Sequence, residues 1–264
     1  MPVEDRSSES LKPIPFQFLY YSGMAGCPIV HALTGEALGH LHDLSALATL
    51  PYPTVSGLEI RTAAGLKLFP WSAVKDIQSQ SILLDPAEDG PFSADFSVRR
   101  DLLRKLAVEV SATMVNRIWD IHFVYSDNQM VLAHAEIGIR GILRTLGLEK
   151  PVIFLLGALL KGPLRERFAT FRHLQILRKM PDGSIHIPKR VLEMHPADLA
   201  AVLRQLSGHL RRHIFCALPD EAAAAVLSQA ESHLQKVLLA NCEKSRRVTV
   251  EKLMQTAMKD LPPL

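Results

Sequence analysis

Leu192-Glu193-Met194-His195-Pro196-Ala197-Asp198-Leu199-Ala200 and, further on, Ala217-Leu218-Pro219-Asp220-Glu221-Ala222-Ala223-Ala224-Ala225-Val226-Leu227 open two short helices with one device. A proline stands at or beside the first helical position, where its missing N–H costs nothing. Asp198, Asp220 and Glu221 follow in the first turn, where the helix dipole favours negative charge. Apolar stripes come next: Leu199, Val202, Leu203 and Leu206 in one, Ala222, Ala225 and Val226 in the other. Helices this short do not hold alone, so each must bury its stripe against a neighbour. The expected interior includes Leu199, Leu203, Leu218, Val226 and Leu227.

The words HPADLAAVLRQL and LPDEAAAAVL resemble the N-terminal cytosolic domain of MgtE-type magnesium transporters, a small superhelix of short helices. The flagellar motor protein FliG has related-looking helices. In the transporters, the resemblance implies, this domain helps bind Mg²⁺ through acidic residues facing neighbouring CBS domains. From Lys189 onward bases outnumber acids here, and no CBS pair accompanies the domain. Asp198, Asp220 and Glu221 are therefore the weak Mg²⁺ candidates, and capping explains each of them as well. The basic clusters Arg204, Arg211, Arg212 and His213, with Lys244, Arg246 and Arg247, suit docking to an acidic protein partner, a CBS-domain or transporter protein. Nucleic acid is not the expected partner: no aromatic platform interleaves the bases.

The chain has 264 residues, room for about two domains by the usual 100–200 residues each. A net charge of +3 is too small to argue for nucleic acid by itself. Cys27, Cys216 and Cys242 form no C-x-x-C pair, and an odd count argues against a disulfide framework. Reduced thiols fit a cytoplasmic location. Residues 1–15 lack a basic and an apolar signal region and read as a disordered leader. The apolar run from Pro151 to Leu160 is far shorter than the roughly 20 residues of a membrane span.

Ahead of the helices the chain reads as β. Val30 to Leu33, Leu38 to Leu44, Val55 to Thr62, Leu66 to Phe69 and Ser81 to Leu84 are short β-type runs between Gly, Pro and Ser. Pro70 to Ile77 reads as one or two helical turns. The order then recurs. Ile29–Gly35 aligns with Leu106–Ala112, Leu38–Leu44 with Val115–Ile121, and Leu58–Ile60 with Ala135–Ile137, at one constant offset. After an insertion, Phe171–Leu177 matches Trp71–Ile77.

Each copy resembles a PRC-barrel, a small β-barrel that serves in binding and assembly. The carrying residues are Gly39-His40-Leu41-His42-Asp43-Leu44, Leu68-Phe69-Pro70-Trp71-Ser72-Ala73-Val74 and Ser81-Ile82-Leu83-Leu84-Asp85. The second copy has Thr170-Phe171 in place of the Pro-Trp pair. Val30, Leu41, Val74, Ile77 and Leu83 are the expected core of one barrel, Val108, Ile118, Leu174 and Leu177 of the other. The insertion 140–168 has helical spacing, with Ile142, Leu143 and Leu146 on one face and Arg144 opposite. It reads as a helical hairpin on the barrel, or as a membrane-surface patch rimmed by Arg140, Arg144, Lys150, Lys161, Arg165 and Arg167.

His40 and His42 fall on one strand face and are weak metal candidates. Asp43 and Asp120 occupy equivalent strand ends, where a carboxylate accepts turn N–H bonds. Glu59 and Glu136 are equivalent too, each expected to meet a basic neighbour or water. Phosphate loops, nucleophile elbows and H-E-x-x-H helices do not occur in the chain.

The expected class is α+β: two small PRC-type β-barrels followed by an α-helical superhelical domain. The expected boundaries are a leader 1–15, barrels 16–95 and 96–187, and helices 188–264. The expected function is non-catalytic, a cytosolic regulator or scaffold of magnesium-transport systems, with no catalytic residue and no required cofactor beyond a weak Mg²⁺ candidacy. The alternative is a docking module at a membrane surface, at its inner face, or on a ribosomal or flagellar assembly; an enzyme is the third reading.

Overall fold

A computed structural model describes residues 17–88, 90–145, 166–180, 184–240 and 242–259. In the first part β1 (Gln17–Tyr20) leads through a short helix α1 (Tyr21–Met24) into β2 (Pro28–His31). Then come β3 (Ala37–Leu47), β4 (Thr54–Thr62), β5 (Gly65–Pro70), β6 (Val74–Ile77) and β7 (Ile82–Leu84). The apolar alternation of β3 and β4 buries Leu41, Leu44, Leu58 and Ile60. Gly39 permits the start of β3 at φ +148°, where a Cβ would lie 2.4 Å from the Arg61 carbonyl oxygen.

The second part follows. A two-residue β8 (Phe96–Ser97) precedes β9 (Leu106–Glu109), β10 (Met114–Arg117), β11 (Asp120–Ser126) and β12 (Gln129–Glu136). Asp127 and Asn128 turn β11 into β12, both with positive φ, as a tight hairpin requires. Helix α2 (Ile139–Thr145) follows, and later β13 (Phe168–Thr170), β14 (Leu174–Lys179) and β15 (Ile185–His186).

These strands do not divide into two self-contained barrels. Eleven described strands share one sheet, ordered β1-β11-β12-β4-β3-β2-β7-β6, with β13 on β12, β5 on β4 and β8 on β3. The two parts are joined by β12 and β4 through Val131 opposite Thr54. They also exchange strands. β1, from the first part, pairs with β11 of the second, and β8 pairs back onto β3 of the first. Trp71 ties them again: its indole N–H donates to the Asn128 carbonyl at 2.9 Å, and its ring meets Tyr125 edge-on. One core therefore runs through both parts, from Ile29, Leu44 and Leu58 to Ile118, Ile121 and Phe123.

Two local expectations are corrected. Only Trp71–Ala73 forms a helical turn; Val74–Ile77 is strand β6, bulged so that Val74 and Ile77 both point inward. Val30 and Leu83 are half-buried, and Ile29, Ile82 and Leu84 fill the core in their place. A register shift between Ile29 and Val30 moves that strand's alternation by one residue.

β10, β9, β14 and β15 form a separate four-stranded sheet. It shares one hydrophobic cluster with the helices that follow, α3 (Lys189–Leu192), α4 (Pro196–Gln205), α5 (Gly208–Ala217), α6 (Asp220–Gln229), α7 (Ser232–Ala240) and α8 (Lys244–Lys259). Val108 and Leu177, expected in a barrel core, lie instead in one cluster with Leu199, Leu203, Phe215 and Leu227. Leu199, Leu203, Leu218, Val226 and Leu227 are all buried, as their 3.6-residue spacing predicts. Gln205 completes the joint. Its side-chain oxygen accepts from the Val115 N–H at 3.0 Å and its amide donates to the Thr113 carbonyl at 2.8 Å.

Candidate functional site

One face of β1, β11, β12 and β13 carries a group of charged and aromatic side chains in mutual contact. Asp120 and Glu136 start there as directly paired residues of β11 and β12. Both are buried, at 1% and 0% exposure. Asp120 accepts from its neighbour Ile121 N–H at 2.9 Å, from Ser22 N–H at 3.0 Å and from the Ser22 hydroxyl at 2.6 Å. It is the turn acceptor the sequence suggests, with α1 supplying two of the donors.

Helix α2 closes over this pair. Gly141 allows the approach: a Cβ there would stand 3.1 Å from the Glu136 side chain and 3.0 Å from Trp119. One turn on, Arg144 reaches back into the sheet. Its Nη1 donates to Glu136 at 2.6 Å and lies 3.4 Å from Asp120, while Nη2 donates to Glu166 at 2.9 Å. Its guanidinium also stacks on the Tyr20 ring at 3.8 Å. On the membrane-patch alternative Arg144 belongs to an exposed rim; two buried carboxylates draw it inward instead. Arg140 turns the same way, 3.3 Å from Glu166. Of the remaining rim, Arg167 is exposed, and Lys150, Lys161 and Arg165 lie outside the described residues, as does Leu146.

Burial pushes the Glu136 carboxyl above the ordinary carboxylate range, and Arg144 partly opposes this. The second Glu136 oxygen, Oε1, is buried without a hydrogen-bond partner among the described residues. Burial, then the Glu166 charge, raises the Tyr20 phenol as well. The arginine ties Glu136, Asp120 and Glu166 together across β11, β12 and the segment before β13.

Beside the lock lies an aromatic group. His122 stacks on Phe18 at 5.0 Å and packs against Tyr20 and Phe168 at 5.0 and 5.6 Å. His134 stands directly across from it, with the two Nδ1 atoms 3.3 Å apart. Burial first, and the His134 charge second, lower the His122 pKa. A cleft of about 580 Å³ opens alongside, walled by Phe18, Tyr20, Ser22, Met24, Ile77 and Arg144.

The corresponding face of the first part differs. Asp43 repeats the bonds of Asp120, accepting from Leu44 N–H at 2.7 Å, from Arg99 N–H at 2.8 Å and from the Ser97 hydroxyl. Glu59 is half-buried, 3.9 Å from His42. The metal candidates His40 and His42 are not brought together as ligands. A register shift between Leu41 and Asp43 interrupts their alternation, and Arg61 sits 3.1 Å from the His42 Nδ1, where a cation would be repelled. Among the described residues no three His, Cys, Asp or Glu side chains converge on a metal position.

In the helical part Asp198 and Glu221 are exposed in the first turns of α4 and α6, where they face the helix dipole. Asp220 is bound to Arg246 at 2.8 Å. The basic residues expected to meet a partner separate into two kinds. Arg211 donates to the Leu203 carbonyl at 2.8 Å and the Leu206 carbonyl at 2.7 Å, satisfying the end of α4. Arg246 does the same for α5, bonding the Cys216 carbonyl at 2.8 Å and the Leu218 carbonyl at 2.5 Å. Arg204 and Arg247 form exposed pairs with Glu231 and Glu251, at 2.8 and 2.9 Å, and Arg212 is exposed on α5. Arg211 and Arg246 thus clamp helix ends, and Arg204, Arg212 and Arg247 make the outward-facing basic set.

Sequence reasoning missed the lock of Arg144 and the pairing of His122 with His134. The equivalence of Asp120 to Asp43 and of Glu136 to Glu59 marked the acids, and an arginine one turn into the following helix was the available signal.

Residues 194–257 match the family model described as the MgtE intracellular N domain. No curated protein and no solved structure matches the chain.

Proposed function

We propose that this protein is a non-catalytic regulator of an MgtE-type magnesium-transport system, docking through its helical part onto an acidic CBS-domain or transporter protein at the cytoplasmic face of the membrane. The single observation that carries this reading is the family match over residues 194–257, the helices closed by Leu199, Leu203, Phe215 and Leu227. The exposed arginines Arg204, Arg212 and Arg247 are the docking residues, since exposed cations steer an acidic partner and are screened by salt.

On this reading the first 190 residues are an assembly platform made of two PRC-type repeats. The matched bonding of Asp43 and Asp120, and the reciprocal pairing of β1 with β11 and β8 with β3, support a duplicated unit whose copies have exchanged their first strands. Lodging α3–α8 on the sheet of β9, β10, β14 and β15 leaves the far side of the helices for the partner. No helix of the described residues is long and apolar enough to cross a membrane, so within them an ion path through helices is not on offer.

The test is binding of the purified full chain to the purified cytosolic CBS region of an MgtE-type transporter, at low and high ionic strength. Saturable binding, weakened by salt and by Arg212→Glu, is expected. Binding insensitive to both, or none, would remove the helical part as the docking surface. A membrane-surface role is the second reading, favoured by exposed Phe168 beside exposed Arg167. Co-sedimentation with anionic vesicles tests it, with a Phe168→Ser loss as its expected mark.

A further inference from the structure

We propose that His122 and His134 form a two-histidine site for a borderline transition ion such as Zn²⁺, on the outer face of β11 and β12. The geometry is the first reason. Two ligands of a tetrahedral zinc at about 2.0–2.1 Å are separated by about 3.3–3.4 Å. The two Nδ1 atoms stand 3.3 Å apart, on residues directly paired across the hairpin. The hairpin turn at Asp127 and Asn128 and the bulge after His122 place the two residues opposite each other, and the side-chain rotamers then bring the ring nitrogens to that spacing.

Ring support is the second reason. His122 is packed by Phe18, Tyr20 and Phe168, and His134 stacks on His122 with ring centroids 5.5 Å apart. These contacts fix the ring planes, which lowers the cost of holding both nitrogens at one point. An imidazole pair selects Zn²⁺, Cu²⁺ or Ni²⁺ over Mg²⁺, which prefers oxygen. The site therefore differs in ligand chemistry from magnesium sensing and does not rest on the proposed transport role.

Since no third His, Cys, Asp or Glu of the described residues joins the pair, two coordination positions fall to water or to a donor from a docked partner. The competing account of the same distance is an ordinary hydrogen bond, one Nδ1–H donating to the other ring. The helix α5 provides a built-in comparison. His209 and His213 lie one turn apart with centroids 4.3 Å from each other, with His209 exposed and His213 half-buried.

The experiment is titration of the chelator-treated full chain with Zn²⁺ against a chromophoric competitor, with excess Mg²⁺ present, for wild type, His122→Gln, His134→Gln and the double variant His209→Gln/His213→Gln. Thermal melts of each variant accompany it. Stoichiometric Zn²⁺ binding is expected. Either His122→Gln or His134→Gln should weaken it by at least the roughly tenfold that losing even an outer-shell partner costs. The helix variant should leave the tight site intact. If only one of the two strand variants folds, that variant carries the test. The proposal is overturned if wild type shows no saturable Zn²⁺ site, if a folded strand variant binds as wild type does, or if the helix variant abolishes the binding.

Discussion

Replacing Arg144 with methionine keeps much of the side chain's length and removes its charge. Glu136 and Asp120, at 0% and 1% exposure, would then stand in the sheet without their counter-ion. Breaking a buried pair by removing one partner costs about 3–5 kcal/mol. At roughly 2–4 °C per kcal/mol for a chain of this size, the melting temperature should fall by about 6–20 °C near pH 8. The pH dependence follows from Glu136. Its pKa in the folded state is already raised, burial outweighing Arg144. A carboxyl with a raised folded pKa stabilises below its unfolded value, and that contribution is lost as pH rises through the folded value. Removing Arg144 raises the folded pKa further. The penalty of Arg144→Met should therefore shrink toward about pH 4 and grow to its full size toward neutrality. Adding Glu136→Gln should recover a large part of the loss at pH 8 and little at pH 4. Chemical denaturation of the four proteins of this cycle across that pH range is the assay. An Arg144→Met protein within about 0.5 kcal/mol of wild type at pH 8, or a penalty that grows in acid, would refute the lock.

Other expectations are separable from this one. Leu203→Ala, at a fully buried position, should cost about 2–5 kcal/mol by denaturant titration. Arg211→Ala should cost about 1–2 kcal/mol, because it strips bonded carbonyls at the end of α4. Arg212→Ala, exposed on α5, should stay within about 0.5 kcal/mol in the same titration. Cys27, whose thiol burial pushes up to about 11, should alkylate far more slowly at pH 8 than exposed Cys216, as peptide mass mapping of a time course would show. Calorimetry with Mg²⁺ should give no saturable sub-millimolar site on the isolated chain, since Asp220 is held by Arg246 and Asp198 and Glu221 serve helix starts.

Sequence legibility followed the range of the interactions. Leu199, Leu203, Leu218, Val226 and Leu227 were readable because helical period and burial are local properties of one segment. Asp43 and Asp120 were readable because each carboxylate accepts from the next residue's own N–H, a local bond. The inward Val74 and Ile77 were seen, but their spacing fits a helical turn and a bulged strand equally, and the strand won through pairing with β7. Val30 and Leu83 failed at register, which long-range pairing sets. The crossing of strands between the two parts was not legible for the same reason: β1 and β8 have no local feature that names β11 and β3 as their partners. Arg144, Arg211 and Arg246 looked like surface charge because their partners sit on other elements. A run of charges does not show which carbonyls or carboxylates end up within reach.

The central claim is that the outward side of the helices meets an acidic transport-system partner while their inward side stays on the small sheet. Hydrogen exchange on the full chain, with and without the purified cytosolic CBS region of an MgtE-type transporter, tests this most directly. Protection gained in the segments carrying Arg204, Arg212 and Arg247, with β9 and β14 unchanged, is the predicted result. Protection confined to the outer face of β1, β11 and β12, or absent at saturating partner, would contradict it.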